Sequence, residues 1–211
     1  MKKNLEQSSQ QRKTVNAKDV RDRKREQILH AAENLFFRHG YAGTTIAGIA
    51  TKLGVTKPYL YYYFQSKDDI FETLCWEASV ACLTSMHFDA GDARPAADKL
   101  REGLHRLASA NIIHFKSGTF AYREPNVFRP AMSKKLRALA RTFYDEFCVL
   151  LEQARNEGAL DYDNTKLTAL AVGSVIGFMY TWYKPGGPIA PTAMAEQLTT
   201  ILLKTVGAQK L

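Results

Sequence analysis

Residues 41–67, YAGTTIAGIATKLGVTKPYLYYYFQSK, constrain this chain more than any other stretch. Thr44 or Thr45 caps a short helix that runs to Leu53, with Ile46, Ile49 and Ala50 facing inward. Gly54 opens a turn. A second short helix follows at about 57–64, and Pro58 fits its first turn without breaking it. Ahead of both, the apolar residues Ile28, Ala32, Leu35 and Phe36 recur at helical spacing over 24–39, and Gly40 stops that helix. Ile46, Ile49, Leu53, Val55, Leu60 and Phe64 then complete a small core with its face. Two short helices across a glycine turn form a helix-turn-helix, whose geometry fits the major groove of a duplex.

The charge distribution points the same way. Up to Lys67 the chain holds 13 Lys/Arg against 5 Asp/Glu, and from Asp68 onward 16 against 16, so the whole net charge of +8 lies on the first third. A polyanion is the direct partner for such a segment. The basic N-terminus lacks the large apolar face that would bind a membrane surface.

The other elements read as helices. Ser66 caps a helix reaching about Phe88, with Asp68, Asp69 and Glu72 placed early as the helix dipole prefers. Helical patterns follow at about 96–115, 130–157, 164–184 and 191–207, while 116–129 is less regular. The expected fold is all-α with about nine helices. Residues 1–23 are polar and basic, and a disordered tail is expected there.

If the apolar positions of the second short helix face the core, then Thr56, Lys57, Pro58, Tyr59, Tyr61, Tyr62 and Tyr63 face outward. Tyr hydroxyls and a Lys ammonium are phosphate donors, and Tyr rings pack on sugars and thymine methyls. Lys67 starts the next helix, where a phosphate also meets free backbone N–H groups.

These residues resemble the DNA-binding domain of the TetR family. Gly40-Tyr41, Thr44-Thr45, Ile49-Ala50, Gly54-Val55-Thr56, Leu60-Tyr61-Tyr62-Tyr63-Phe64 and Lys67-Asp68 fill that family's pattern in register. The resemblance implies that Thr44 or Thr45 and Lys67 touch phosphates and that Tyr61 and Tyr63 clamp the backbone. It places Thr56, Lys57, Pro58, Tyr59 and Tyr62 nearest the bases. Pro58 stands where many relatives carry Gly, Ala or Ser and donates no backbone hydrogen bond, which shifts base reading toward Lys57 and Tyr59.

The same resemblance implies three segments: the tail 1–23, a helix-turn-helix domain 24–67, and a ligand-binding and dimerisation domain 68–211. It implies a homodimer on palindromic double-stranded DNA, with recognition helices about 34–36 Å apart. The last two helices are the candidates for dimerisation. Residues 167–180 are apolar nearly all round, Ala169, Gly173 and Gly177 permit close helix approach, and Met194, Leu198, Ile201 and Leu202 offer a second face. A small-molecule inducer is implied as well. Its candidate pocket residues are Phe115, Phe120, Tyr122, Arg123, Phe128, Arg129, Met132, Phe143, Phe147, Phe178 and Trp182. An aromatic set at helical spacing also suits a plain core. The cations Arg123, Arg129, Lys134, Lys135, Arg137 and Arg141 lie beside that set, as a solvated face or as an anion site. Residues 123–124 and 182–187 are similar to regulators of fatty-acid, steroid or aromatic-acid breakdown, which implies an acyl-CoA or related apolar anion as ligand.

Other classes fit less well. The five His are scattered, and no HExxH, GxSxG, P-loop or GxGxxG occurs, so neither enzyme activity nor a cofactor or metal is expected. Cys75, Cys82 and Cys148 form no CxxC pair and suit a reducing cytoplasm. No apolar run reaches membrane-spanning length. An adaptor that binds protein through its basic third, and an activator in place of a repressor, both remain compatible with the sequence.

Overall fold

The computed structural model describes residues 2–208, with side chains described from residue 18. Ten helices run through it: α1 (Lys2–Gly43), α2 (Ile46–Leu53), α3 (Lys57–Tyr63), α4 (Lys67–Leu83), α5 (Ala96–Ile113), α6 (Phe115–Arg123), α7 (Pro130–Asn156), α8 (Thr165–Gly177), α9 (Met179–Trp182) and α10 (Pro191–Thr205). Among the described residues the only β feature is an antiparallel bridge between Leu160 and Ala208. The chain divides into two compact units, Met1–Leu74 and Cys75–Leu211.

In the N-terminal unit, Ile28, Ala32 and Phe36 of α1 are buried, as are Ile49 of α2, Leu60 of α3, the adjoining Phe64, and Ile70 and Phe71 of α4. Phe36 meets Phe71 edge-on at 5.2 Å. Local chemistry sets the boundaries. Gly40 leaves the helix at φ 71, a conformation that disfavours any residue with a Cβ. Thr45 is the N-cap of α2, and its hydroxyl accepts from the Gly48 N–H at 3.0 Å. Gly54 closes α2 in the left-handed region at φ 67. Ser66 and Asp69 cap α4: the Asp69 N–H donates to Ser66 Oγ at 3.1 Å, and the Gln65 N–H donates to the Asp69 carboxylate at 3.0 Å.

Four stretches depart from the expected pattern. The backbone of 2–23 continues α1, where a disordered tail is expected; it contains no Gly or Pro to interrupt a helix. Side chains before 18 lie outside the described residues. Helix α4 stops at Leu83, short of 88, because a turn at 84–86 buries Ser85 and Met86. The segment expected to be irregular contains α6, which buries Phe115, Ser117, Thr119 and Phe120; two of these four are polar, which hides the helical stripe. The helix expected over 164–184 is split at Phe178, directly after Gly177.

The C-terminal unit is built on α5. Its Leu100, Leu104, Leu107, Ala108 and Ile112 are buried against Leu198, Leu202 and Leu203 of α10 and Phe147, Leu150, Leu151 and Ala154 of α7. That packing corrects the expected dimer face. Leu198 and Leu202 belong to the intrachain core, Met194 packs partly against it, and Ile201 alone of the four is exposed.

Candidate nucleic-acid interface and ligand cavity

Helix α3 offers its outer side as expected from its pattern. Leu60 is buried, whereas Thr56, Lys57, Pro58, Tyr61 and Tyr62 are exposed, the two tyrosines at 54 % and 68 %. Tyr59 and Tyr63 are half-buried and pack on each other at 5.3 Å, and Tyr62 meets Tyr63 edge-on at 5.0 Å. The phenols thus form one interlocked ridge, which limits the rotamer entropy lost when a partner docks. Burial and the hydrogen bond to Tyr59 raise the Tyr63 pKa, so its hydroxyl stays a neutral donor at physiological pH.

Two expected phosphate contacts change. Thr44 is only 2 % exposed and donates its hydroxyl to the Gly40 carbonyl at 2.9 Å, so of the pair only Thr45 lies on the surface. Lys67 is half-buried; its ammonium donates to the Tyr41 carbonyl at 2.9 Å and sits 3.9 Å from the centre of the Tyr41 ring. The Tyr41 phenol in turn donates to the Asp68 carboxylate. Desolvation, then this hydrogen bond, pushes the Tyr41 pKa up to about 12. Tyr41, Lys67 and Asp68 therefore clamp the entry to α2 onto the start of α4. They fix the position of Thr45, and Lys67 retains N–H donors beyond the one spent on Tyr41.

The C-terminal unit contains a cavity of about 460 Å³. Helices α4 to α8 wall it, with Cys82, Tyr122, Phe128, Phe143, Gly173 and Gly177 among the lining residues. Of the expected pocket residues, Tyr122, Phe128 and Phe143 line it. Phe115, Phe120, Met132 and Phe147 are buried but contribute no wall, with Phe147 part of the main core. Arg123, Arg129, Phe178 and Trp182 are exposed and also outside the lining. The sequence reading misses Ser79, Cys82, Asn111 and Ser133, small or polar residues that carry no pattern on a single helix.

Arg137 is the one charged residue in this lining, and no carboxylate joins it. Burial pushes the Cys82 thiol up to about 12, so it remains protonated and apolar in character. Burial also raises the Tyr122 phenol. Asn111 donates its amide to the Leu107 carbonyl at 2.9 Å, which leaves its side-chain oxygen as an acceptor. A largely apolar chamber with a single cation can bind the apolar body of a ligand and neutralise one anionic group.

Gly173 and Gly177 face this chamber, and Ala169 is buried in the core, so the small-residue stripe of α8 does not lie on an outer surface. A Cβ on Gly177 would stand 3.4 Å from the Tyr122 hydroxyl. The outer side of α8 carries Leu167 and Leu170 instead, the latter at 55 % exposure, and Phe178 just after it (58 %), Trp182 of α9 and Ile201 of α10 are exposed as well. No described helix is long and apolar enough to cross a membrane.

A capped helix-turn-helix with an outward Tyr/Lys ridge on a basic unit, followed by a helical unit with a ligand-sized cavity, defines a DNA-binding transcriptional regulator. Residues 28–74 match the family model for bacterial regulatory proteins of the tetR family, and residues 93–206 match that of the tetracyclin repressor-like C-terminal domain. The chain belongs to the TetR family. It is similar to the transcriptional regulator YhgD of Bacillus subtilis, at 25 % identity over 86 % of this chain and 95 % of that one. It is also similar to the transcriptional repressor KstR2 of Mycobacterium tuberculosis, at 23 % identity over 85 % and 91 %. The solved structure of KstR2, a ketosteroid transcriptional regulator, superposes with a TM-score of 0.75 over 88 % of this chain and 96 % of that one, at 19 % identity. AibR in complex with isovaleryl coenzyme A and operator DNA superposes with a TM-score of 0.64 over 84 % and 96 %, at 19 % identity. The family is one of regulators and not of enzymes.

Proposed function

We propose that this regulator is a homodimeric repressor, bound to a palindromic operator through residues 24–67 and released by an apolar anion held in residues 68–211. The observation that carries the DNA half is the exposed ridge of Lys57, Tyr61 and Tyr62, within the segment up to Lys67 that holds the chain's whole net charge. Thr45, Tyr63 and the free donors of Lys67 complete the phosphate contacts, while Thr56, Lys57, Pro58, Tyr59 and Tyr62 lie nearest the bases.

The exposed outer stripe of α8 supports the dimer. Leu167, Leu170 and Phe178, with Ile201 of α10, give an apolar surface that water disfavours and a second copy would cover. One helix-turn-helix reads too few base pairs to select a genomic site, and two-fold pairing doubles the readout.

The ligand reading rests on the cavity and on Arg137. A volume of about 460 Å³ suits the acyl part of a thioester or a free hydrophobic acid. The complex of AibR with isovaleryl coenzyme A makes an acyl-CoA the first candidate. Its phosphates would meet the cations at the start of α7, among them Arg129 just before it and Lys134 and Lys135 on it.

The test begins with duplex selection from a random pool, followed by fluorescence anisotropy against salt. Lys57→Ala is expected to cost about 1–3 kcal/mol and to relax specificity at one position per half-site. Native mass spectrometry of protein from its own host then reads subunit count and any bound mass. Arg137→Ala should weaken the response to the anionic ligand while leaving duplex affinity intact. A wild-type protein that recovers no duplex even at low ionic strength overturns the reading.

A further inference from the structure

The face of α1 that packs on its own unit does not end with the last apolar residue. Ile28, Ala32 and Phe36 mark that face. Counted back from Ile28 at helical spacing, positions 25, 24, 21 and 18 lie on the same side. They are Arg25, Lys24, Arg21 and Lys18. The acids of this stretch, Asp19, Asp22 and Glu26, group on the adjoining side and leave that stripe wholly cationic.

Three of these four cations, Arg21, Lys24 and Arg25, are set against α3 or the Phe64 that follows it. The Arg25 guanidinium lies 4.9 Å from the centre of the Phe64 ring and donates to Thr73 Oγ1 at 3.5 Å, which fastens this turn of α1 to the folded unit. One turn farther out, the Arg21 guanidinium lies 5.5 Å from the centre of the Tyr62 ring, the most exposed aromatic of the recognition ridge. Lys24 is close enough to Tyr63 to favour ionisation of its phenol. Lys18, Arg21 and Lys24 therefore extend the outer surface of α3 in cationic side chains, along a helix that projects about 15 Å past Ile28 at 1.5 Å per residue.

We infer that Lys18, Arg21 and Lys24 form a second DNA-contact surface, which grips phosphates flanking the groove that α3 enters. This rests on the DNA-binding reading of α3. The occupant is the same duplex, because the stripe is contiguous with the Tyr62–Tyr63 ridge and complementary in charge to a phosphate backbone. The stack of Arg21 on Tyr62 couples the two surfaces: it orients the guanidinium fork and holds the Tyr62 ring for base or sugar contact.

The experiment uses the full chain and a duplex recovered from a random pool by the wild-type protein. One version keeps about ten base pairs of flank, one helical turn, on each side, and the other is trimmed to the selected core. Lys18→Ala/Arg21→Ala/Lys24→Ala should weaken binding to the flanked duplex and flatten its log K against log salt slope by about 0.9 for each phosphate no longer neutralised. On the trimmed duplex it should match the wild type, whereas Lys57→Ala should weaken binding to both. A folded triple variant with the wild-type slope on the flanked duplex overturns the inference and leaves the role of α3 standing. Failure of the wild-type protein to recover any duplex removes both. If the triple variant melts early, Lys18→Ala alone, farthest from the folded core, decides the matter by the same slope.

Discussion

The clamp around Tyr41 gives the sharpest test of how the helix-turn-helix is held. Tyr41→Phe removes one oxygen and keeps the rest. The ring still stacks on Phe36 at 6.0 Å, meets Phe71 edge-on at 5.0 Å, and lies beneath the Lys67 ammonium at 3.9 Å. The Lys67 bond to the Tyr41 carbonyl, at 2.9 Å, is a main-chain contact and also survives. The variant gives up the phenol's hydrogen bond to the Asp68 carboxylate. A hydrogen bond to a charged group contributes about 1.5–3 kcal/mol, and the partial exposure of Tyr41 puts the loss at the lower end, about 1.5 kcal/mol. Urea denaturation at one fixed protein concentration reads it, with Asp68→Asn and the double variant closing a cycle whose coupling energy isolates the pair.

The pH dependence reads the environment of the same phenol, its burial first and this bond second. Tyr41 has its folded pKa raised from about 10 to about 12, chiefly by desolvation. A raised folded pKa means that the contribution is fully present below about pH 10 and is lost as pH rises through about 12. Wild-type stability should therefore fall across that window by more than that of Tyr41→Phe, which has no phenol to ionise. Equal urea midpoints for wild type and variant refute the clamp. So does a variant of unchanged stability that binds duplex poorly, which would make the hydroxyl a DNA contact.

Three further outcomes follow from the C-terminal unit. Gly103→Ala places a Cβ 2.5 Å from Met86 Sδ and 3.2 Å from the Ser85 carbonyl oxygen, and should cost about 1–3 kcal/mol in thermal or urea unfolding, with Met86→Ala as partial rescue. His87 Nδ1 donates to the Glu146 carboxylate at 2.6 Å, and that bond raises the His87 pKa; its contribution is complete below about pH 6.5 and is lost as pH climbs through the raised value. Asp89 adds to this shift, so Glu146→Gln should shrink, without abolishing, the slope of melting temperature against pH between about 6 and 8. Leu170→Asp, on the outer side of α8, should shift the proposed dimer to monomer in analytical ultracentrifugation while leaving the helical content intact, and an unchanged mass would remove α8 from the proposed interface.

The N-terminal unit was the more legible half because its signals are local. Thr45, Gly54, Pro58 and the Ser66–Asp69 pair each act on backbone within a few residues, so their meaning survives without knowledge of the partner surface. Thr44 shows the limit: sequence offers two adjacent threonines, and only packing decides which hydroxyl turns inward to Gly40. The C-terminal unit depends on which side of an apolar helix meets which neighbour. Phe143 and Phe147 are one turn apart on α7, yet the first lines the cavity and the second lies in the core. On α8 the glycines suggest close helix packing, but they border the chamber, and the bulky Leu167 and Leu170 take the outer surface. Helical periodicity identifies a stripe without saying what it faces.

On the proposed reading, helix α4 contributes residues to both functions. Lys67 and Asp68 in its first turn hold Tyr41, and Ala78, Ser79, Cys82 and Leu83 in its last turns line the cavity. A ligand shifts DNA occupancy only by its difference in affinity for the two conformations, and a change from 1:99 to 99:1 requires about 5.5 kcal/mol. Apolar contacts spread around the chamber are poorly suited to supply all of that, because they persist in part when the walls shift. A charge-assisted bond to Arg137 is directional and falls away steeply with geometry, so it is the natural source of the difference. Arg137→Ala should therefore lower the coupling between ligand and DNA more than it lowers ligand affinity in the absence of DNA. Linkage supplies the check: the factor by which ligand weakens duplex binding must equal the factor by which duplex weakens ligand binding. Titration in both directions, for wild type and Arg137→Ala, measures both factors. Equal coupling in the two proteins would move the switch from Arg137 to the apolar walls.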